Sequence, residues 1–307
     1  MPILSVHLLG KFTAYTAPAV MPAGLEVRKV QELLCYLLVH RSQPQHRETL
    51  AGTLWGETTA VQSRANLRKT LWQLHTAIEP CVEAGPPNLI DIQGEWLQIH
   101  PDADLWLDIE LLESAYAMSK GQRGEELSAA VAAVLEDAVK LYHSDLLDGW
   151  YQDWCLFERE RLQSMYLSLL DKLMGYCEFY VDYEKGIAYG ADALRYDQTR
   201  EQTHRRLMRL HFLAGDRPAA LRQYERCRAI LHESMSIEPA EQTIVLQEQI
   251  RRNTLNVAPN SVVAAAAQHE LVDLRAMLQN LQATLSTNEA HVRKYLEAVE
   301  QLLSKRH

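Results

Sequence analysis

Residues 60–78 read AVQSRANLRKTLWQLHTAI. At helical spacing, Ala60, Ser63, Leu67, Leu71, Leu74 and Ile78 fall on one side, which must pack on neighbouring elements. The other side gathers Gln62, Ala65, Asn66, Lys69 and Gln73, flanked by Arg64 and Arg68. These residue types suit the major groove of double-stranded DNA. A guanidinium forks onto guanine O6 and N7, an Asn or Gln amide onto adenine N6 and N7, and an ammonium reaches phosphate. Such contacts usually come from the N-terminal part of a reading helix. The candidates are therefore Gln62, Arg64, Asn66, Arg68 and Lys69, followed by Gln73. Arg41, His46 and Arg47 are candidate phosphate contacts. A solvated helix face has the same make-up, so the elements around this helix decide its meaning. Trp72 lies off the core side, placed to cover a neighbouring hairpin or a partner.

The residue types of catalysis occur without its spacings. There is no HExxH. His143-Ser144-Asp145 has the types of a hydrolytic triad, but adjacent residues cannot form its geometry. Glu201, His204, Arg205 and His211 lie near one another, yet His204 and His211 are two helical turns apart, about 10 Å. Surface or interface histidines are the simpler reading. Glu158-Arg159-Glu160-Arg161 is an alternating charge run of the solvated or salt-bridged kind. The expectation is a non-enzyme with no catalytic residue, metal or cofactor.

The segments around residues 60–78 supply a context. Residues 3–16, ILSVHLLGKFTAYT, are β-rich around a Gly10-Lys11 turn and predict a hairpin or short sheet. Val30, Leu33, Leu34, Leu37 and Leu38 predict an amphipathic helix from about Arg28, ended by Ser42-Gln43-Pro44. Arg47 to Leu54 predicts a second helix, with Leu50, Leu54 and Trp55 turned to the core. Gly56 to Thr59 forms the next turn, where Thr58 or Thr59 can cap the helix that Pro80 ends. Residues 88–99 alternate around Gln93-Gly94 and predict a hairpin. Sheet, three helices and hairpin is the order of a winged helix-turn-helix. The hairpin turn, Gln93-Gly94-Glu95, is not basic.

After Asp102 nearly everything reads as helix. Between Asp182 and Pro239, DYEKGIAYGADALRYD is answered by GDRPAALRQYERCRAI, a repeat of roughly 33–34 residues typical of tetratricopeptide helix pairs. Gly186, Ala188, Ala219 and Ala220 would allow close packing. Residues 252–261 are the best linker. In the tail, Leu271, Leu278, Leu285, Val292 and Val299 alternate with Leu274, Leu281, Asn288, Tyr295 and Leu302 in a heptad pattern. A coiled coil joining copies of the chain fits. So does a helical hairpin, because Ser286 and Glu289 match a capping box that would start a new helix.

Composition narrows the classes further. Gly (13) and Pro (11) are scarce in 307 residues, which favours helix. No run of about 18 apolar residues suggests a membrane span, and MPILSVHLLGKF lacks the basic start and apolar core of a signal peptide. Cys35, Cys81, Cys155, Cys177 and Cys227 are scattered, which fits reduced cytoplasmic thiols rather than a disulfide framework. The formal net charge is −9, but residues 1–100 hold eight Lys or Arg against eight Asp or Glu and are neutral. A neutral domain binds DNA only if its cations share one face.

Over roughly residues 3–251 the chain resembles the SARP-type regulators, which join an OmpR-like winged helix to a bacterial transcriptional activator domain. In the first part the resemblance rests on Leu8-Leu9-Gly10, Arg47-Glu48-Thr49-Leu50-Ala51 with Leu54-Trp55, and Arg64-Ala65-Asn66-Leu67-Arg68 with Leu71 and Leu74. In the second it rests on Asp145-Leu146-Leu147, Trp154, Glu158 to Leu162, Asp197, Arg200-Glu201, Arg206-Leu207-Met208, Ala220-Leu221 and Tyr224 to Arg228. The resemblance implies an activator that binds direct repeats near a promoter and contacts RNA polymerase holoenzyme. Its polymerase-facing surfaces would be the repeat domain and the loop Gly56, Glu57, Thr58 and Thr59. The chain departs from the family where Ser236 stands in place of a frequent Gly, and where the reading helix ends in Gln73-Leu74-His75 rather than a more basic string. It has no GxxxxGK[ST] loop, and the heptad tail occupies the place of an ATPase module.

The expected architecture is mainly α. A winged helix-turn-helix with a small sheet and hairpin wing covers 1–101. A tetratricopeptide-like helical domain spans 102–255, and a helical tail 262–305. The expected function is a cytoplasmic, sequence-specific DNA-binding activator that assembles through its tail. The competing expectation is a protein adaptor whose winged helix binds DNA weakly or not at all.

Overall fold

The structure, a computed structural model, describes residues 4–16, 21–78, 88–255 and Leu278. The heptad tail, with its two alternative folds, Cys81 and the helix stop at Pro80 lie outside the described residues. Contacts divide the chain into two units, Met1–Met118 with Asp137–Ser168, and Ser119–Glu136 with Leu169–His307.

In the first unit, β1 (Leu4–His7) pairs antiparallel with β2 (Thr13–Tyr15). Next come three helices, α1 (Arg28–Val39), α2 (Arg47–Trp55) and α3 (Ala60–Ile78), with the two-residue β3 (Gln45–His46) between α1 and α2. The hairpin of β4 (Ile90–Gln93) and β5 (Trp96–Ile99) turns at Gly94, whose φ of +61° suits glycine. β5 also pairs with β3, so the hairpin is tied to the start of α2. This is the winged helix-turn-helix expected from the order of elements. Leu33, Leu34, Leu37 and Leu38 of α1, Leu50 of α2, Leu67 and Leu74 of α3 and Leu97 of β5 are buried and make its core.

Two strands escaped the sequence reading. Leu105–Leu107 is not helix but β6, paired parallel to β1, so that the first sheet runs β2-β1-β6. Three apolar residues are too few to show a period, and it is the pairing with β1 that makes them a strand. β3 is shorter still. Ala60, expected on the core side of α3, is exposed, because the helix starts there and its first turn overhangs the core.

One buried carboxylate joins the first sheet to α4 (Asp108–Met118). Asp108, at the start of that helix, is almost wholly buried. Its Oδ2 accepts N–H bonds from Leu8 and Leu9, each 2.8 Å, and its Oδ1 accepts from Ile109 at 2.8 Å. Arg159 plays the converse part with carbonyls. Standing on α6 (Asp153–Phe179), which α5 (Ala129–Lys140) precedes, its guanidinium donates to Leu146 O, Leu147 O and Trp150 O. It thereby holds a loop where Leu147 takes a positive φ. The charge run 158–161 is therefore not simply solvated. Arg161 donates to Glu113 and Glu158, in keeping with the salt-bridged reading.

In the second unit, α7 (Tyr183–Tyr196), α8 (Glu201–Leu213), α9 (Arg217–Met235) and α10 (Glu241–Arg252) form two helix pairs of a repeat-like array. Asp182 and Asp216 begin α7 and α9 alike, their carboxylates accepting from Lys185 N at 3.3 Å and Ala219 N at 2.8 Å. Close packing rests on Gly186, Gly190 and Ala220, all buried, whereas Ala188 does not share their burial. A Cβ on Gly190 would lie 2.5 Å from Leu207 Cδ2, so α7 and α8 touch there. Ser236 ends α9 at φ +56°, its N–H donating to His232 O and Leu231 O. The turn thus keeps the left-handed form that glycine would take with less strain.

Buried His204 on α8 accepts at Nδ1 from the Gln223 amide (2.8 Å) and donates from Nε2 to Gln198 O (2.9 Å), the pattern of a neutral ring.

Two outcomes are expected. Asp108→Ala leaves three buried N–H groups without an acceptor, each worth about 1–3 kcal/mol. Denaturant unfolding should report a loss of about 3 kcal/mol or more. Burial pushes the His204 pKa below its ordinary value, with Arg226 acting in the same direction, so the unfolded chain takes up that proton first as pH falls. The stabilising contribution is intact above the unfolded value of about 6.5 and declines as pH drops below it. Half-buried His211 shifts the same way. Unfolding midpoints between about pH 8 and 5 should fall with acidity, and His204→Gln should make that slope shallower.

Candidate nucleic-acid interface

The start of α3 is held by hydroxyls. Thr59 Oγ1 accepts from Gln62 N at 3.4 Å, and the Thr59 carbonyl accepts from Ser63 N at 2.9 Å. Ser63, buried, has its Oγ 2.8 Å from Thr58 Oγ1 and 3.0 Å from both Trp55 O and Thr59 O. The end of α2, the turn and the first turn of α3 are therefore tied at one point. Ser63, Leu67, Thr70, Leu71, Leu74, Ala77 and Ile78 make the buried side of α3.

The opposite side carries the candidate readers. Gln62, Arg64, Arg68 and Lys69 are exposed, while Asn66 and Gln73 are half-buried. Gln62 Nε2 donates to Asn66 Oδ1 at 3.2 Å, which joins the two amides along the helix. Arg64 is paired with Glu48 of α2, both well exposed. Such an exposed pair contributes little and opens readily for a better anion. Arg68 and Lys69 have no ion pair among the described residues.

The other two cations stand apart from this face. Arg47 N donates to Glu95 O (2.9 Å) and its Nε to Gly94 O (3.3 Å), so Arg47 holds the hairpin turn. Arg41 is mostly buried and pairs with Glu113, which also binds Arg161 at 2.6 Å, and Arg161 binds Glu158 at 2.6 Å. The structure thus brings Gln62, Arg64, Asn66, Arg68, Lys69 and Gln73 together and places Arg41 in a chain of ion pairs. Gly56, Glu57, Thr58 and Thr59 form an exposed loop ahead of α3.

Two apolar side chains share the exposed side of α3. Val61 is 79% exposed and Trp72 is 67% exposed. Trp72 flanks a cleft with His75, Thr76, Asn88, Leu89 and Ile90, but its exposure means that it does not close it. Sequence reasoning missed Val61, which belongs to no apolar period; that isolation was the available signal.

Among the described residues no group of three or more His, Cys, Asp or Glu is placed to hold a metal ion, and no helix is long and apolar enough to cross a membrane. Cys35, Cys155, Cys177 and Cys227 are free and buried. Burial raises the pKa of each thiol, to about 12 for Cys177 and about 11 for Cys227, so these are packing groups rather than reactive thiolates.

The chain thus joins a winged helix-turn-helix to a helical repeat-like domain. Residues 107–251 match the bacterial transcriptional activator domain. The fold is similar to that of Mycobacterium tuberculosis EmbR, solved in complex with a low-affinity phosphopeptide. The TM-score is 0.62 and the identity 18%, over 89% of this chain and 72% of that one. No curated protein matches the chain. The domain match is in keeping with the resemblance to SARP-type regulators over the helical part of the chain, and the likeness to EmbR shows the fold alone.

Ser63→Ala removes the shared hydroxyl behind α3. The expected cost is about 1–2 kcal/mol of stability, with faster amide hydrogen exchange at residues 62 and 63. Unchanged exchange there would mean that Thr59 alone holds the helix start.

Proposed function

We propose that the chain is a sequence-specific DNA-binding transcriptional activator that reads promoter repeats through α3. One observation carries this reading. The side of α3 turned away from the core presents the Gln62–Asn66 amide pair beside Arg68 and Lys69, two cations without ion pairs among the described residues. Amides and guanidinium read base edges, while the ammonium suits phosphate. Arg64 joins them once its exposed pair with Glu48 opens. Arg47 acts by holding the wing turn as much as by touching phosphate, and Arg41 lies at the margin of the surface.

The remaining parts rest on the family resemblance. The exposed loop Gly56 to Thr59 and the helical domain face RNA polymerase. The domains divide at about 101 and 255, and the tail over 262–305 assembles copies of the chain. Such a protein works in the cytoplasm, where the DNA is.

The adaptor reading keeps some support from two facts. The first hundred residues carry no net charge, and two candidate cations are engaged by Glu48 and Glu113. Selection from a randomised duplex library at near-physiological salt separates the two readings. Enrichment of a direct-repeat motif is expected. On that site, Lys69→Ala should lower the slope of log affinity against log salt by about 1, and Arg68→Ala should relax one base preference at a cost of about 1–3 kcal/mol. No enrichment from folded protein, or a slope near zero, would favour the adaptor.

A further inference from the structure

We infer that Val61 is a specificity-determining residue that reads the 5-methyl group of a thymine. This rests on the proposed DNA-reading role of α3 and deepens it. Val61 stands in the first turn of α3 at 79% exposure, more open than any other large apolar side chain among the described residues. No local demand explains it. A β-branched residue is a poorer helix former than alanine or leucine, the side chain adds nothing to the core, and the cap belongs to Thr59. Its backbone is well held, because the hydroxyl bonds of Thr58, Thr59 and Ser63 fix the turn that carries it.

Its neighbours restrict what it can meet. One turn on, at helical spacing, stands exposed Ala65, and beyond it Arg68. The line along the helix is thus small and apolar at its N-terminal end and cationic in the middle, with the amides of Gln62 and Asn66 alongside. The major groove offers one apolar group, the thymine methyl, among hydrogen-bonding edges. Ala65 has no bulk to hold the helix away from the bases, so Val61 can reach that methyl while the polar residues reach their own edges. The resulting site would need a thymine next to positions read by amide or guanidinium.

The test uses the full chain and its selected duplex, with each thymine replaced singly by deoxyuridine, which removes the methyl and leaves every hydrogen-bonding group. Loss of one buried methyl contact is worth about fourfold in affinity. One thymine in each half-site is expected to show a loss of that size with the wild-type chain and none with Val61→Ala, while the guanine and adenine preferences persist in both. Wild-type affinity indifferent to every deoxyuridine would overturn the inference and leave the DNA-reading role standing. So would a Val61→Ala variant that keeps the same sensitivity. Absence of any selected site would remove both. Circular dichroism of Val61→Ala checks that the helix is intact, and alanine at an exposed helical position is expected to preserve it.

Discussion

The Asp108 carboxylate gathers the end of β1, the strand β6 and the start of α4 into one arrangement. Leu8 and Leu9 leave the sheet with two consecutive N–H groups pointing inward, where water does not reach. A buried donor without an acceptor is costly, and one carboxylate supplies both bonds and a third to Ile109. Burial raises the pKa of Asp108, whereas the three N–H bonds and His7 oppose that rise. The same interaction fixes where the chain returns after the wing hairpin, because Leu105–Leu107 must lie beside β1 to deliver Asp108. The first sheet is thus closed by residues about a hundred positions away in sequence.

That closure leaves α3 supported on one side only. Its buried side packs on α1 and α2, its start is tied by hydroxyls to the end of α2, and its outer side is open. The electrostatics of the unit sort its cations into two groups. Arg41 and Arg161 share the Glu113 carboxylate in a partly buried chain, while Arg68 and Lys69 stand in solvent. Charges in the first group are held in place by partly buried partners, and those in the second are available to an incoming anion. A neutral domain can in this way show a cationic strip, since the compensating carboxylates lie elsewhere.

The helical unit solves a different problem, the close stacking of four helices. Gly190 lets Leu207 approach to a distance that a Cβ would forbid, and Ala220 belongs to the cluster of Met208, Leu246 and Ile250. His204 links α8 to α9 through Gln223 in a neutral, fully bonded form. These contacts explain why small residues recur there. Ala188, equally small, takes no part in that buried packing, because it lies off the buried line of Gly186, Gly190 and Ala193.

By itself the sequence determined most of what depends on local period, with Ala60 at the start of α3 an exception. Leu33, Leu37 and Leu38 marked α1, Ser63 to Ile78 marked the buried side of α3, Gly94 marked the wing turn, and the repeated segments after Asp182 marked α7 and α9. Each signal acts over a few residues and survives reading along one dimension. Tertiary structure alone decided that Leu105–Leu107 is a strand, since a three-residue strand exists only through its partner. It likewise decided that Arg41 is engaged by Glu113, 72 positions away, while Lys69 has no ion pair among the described residues. It also set Val61 in open solvent at the foot of α3. Charge pairing, strand pairing and exposure are properties of distances between remote residues, and a sequence fixes those distances only by folding.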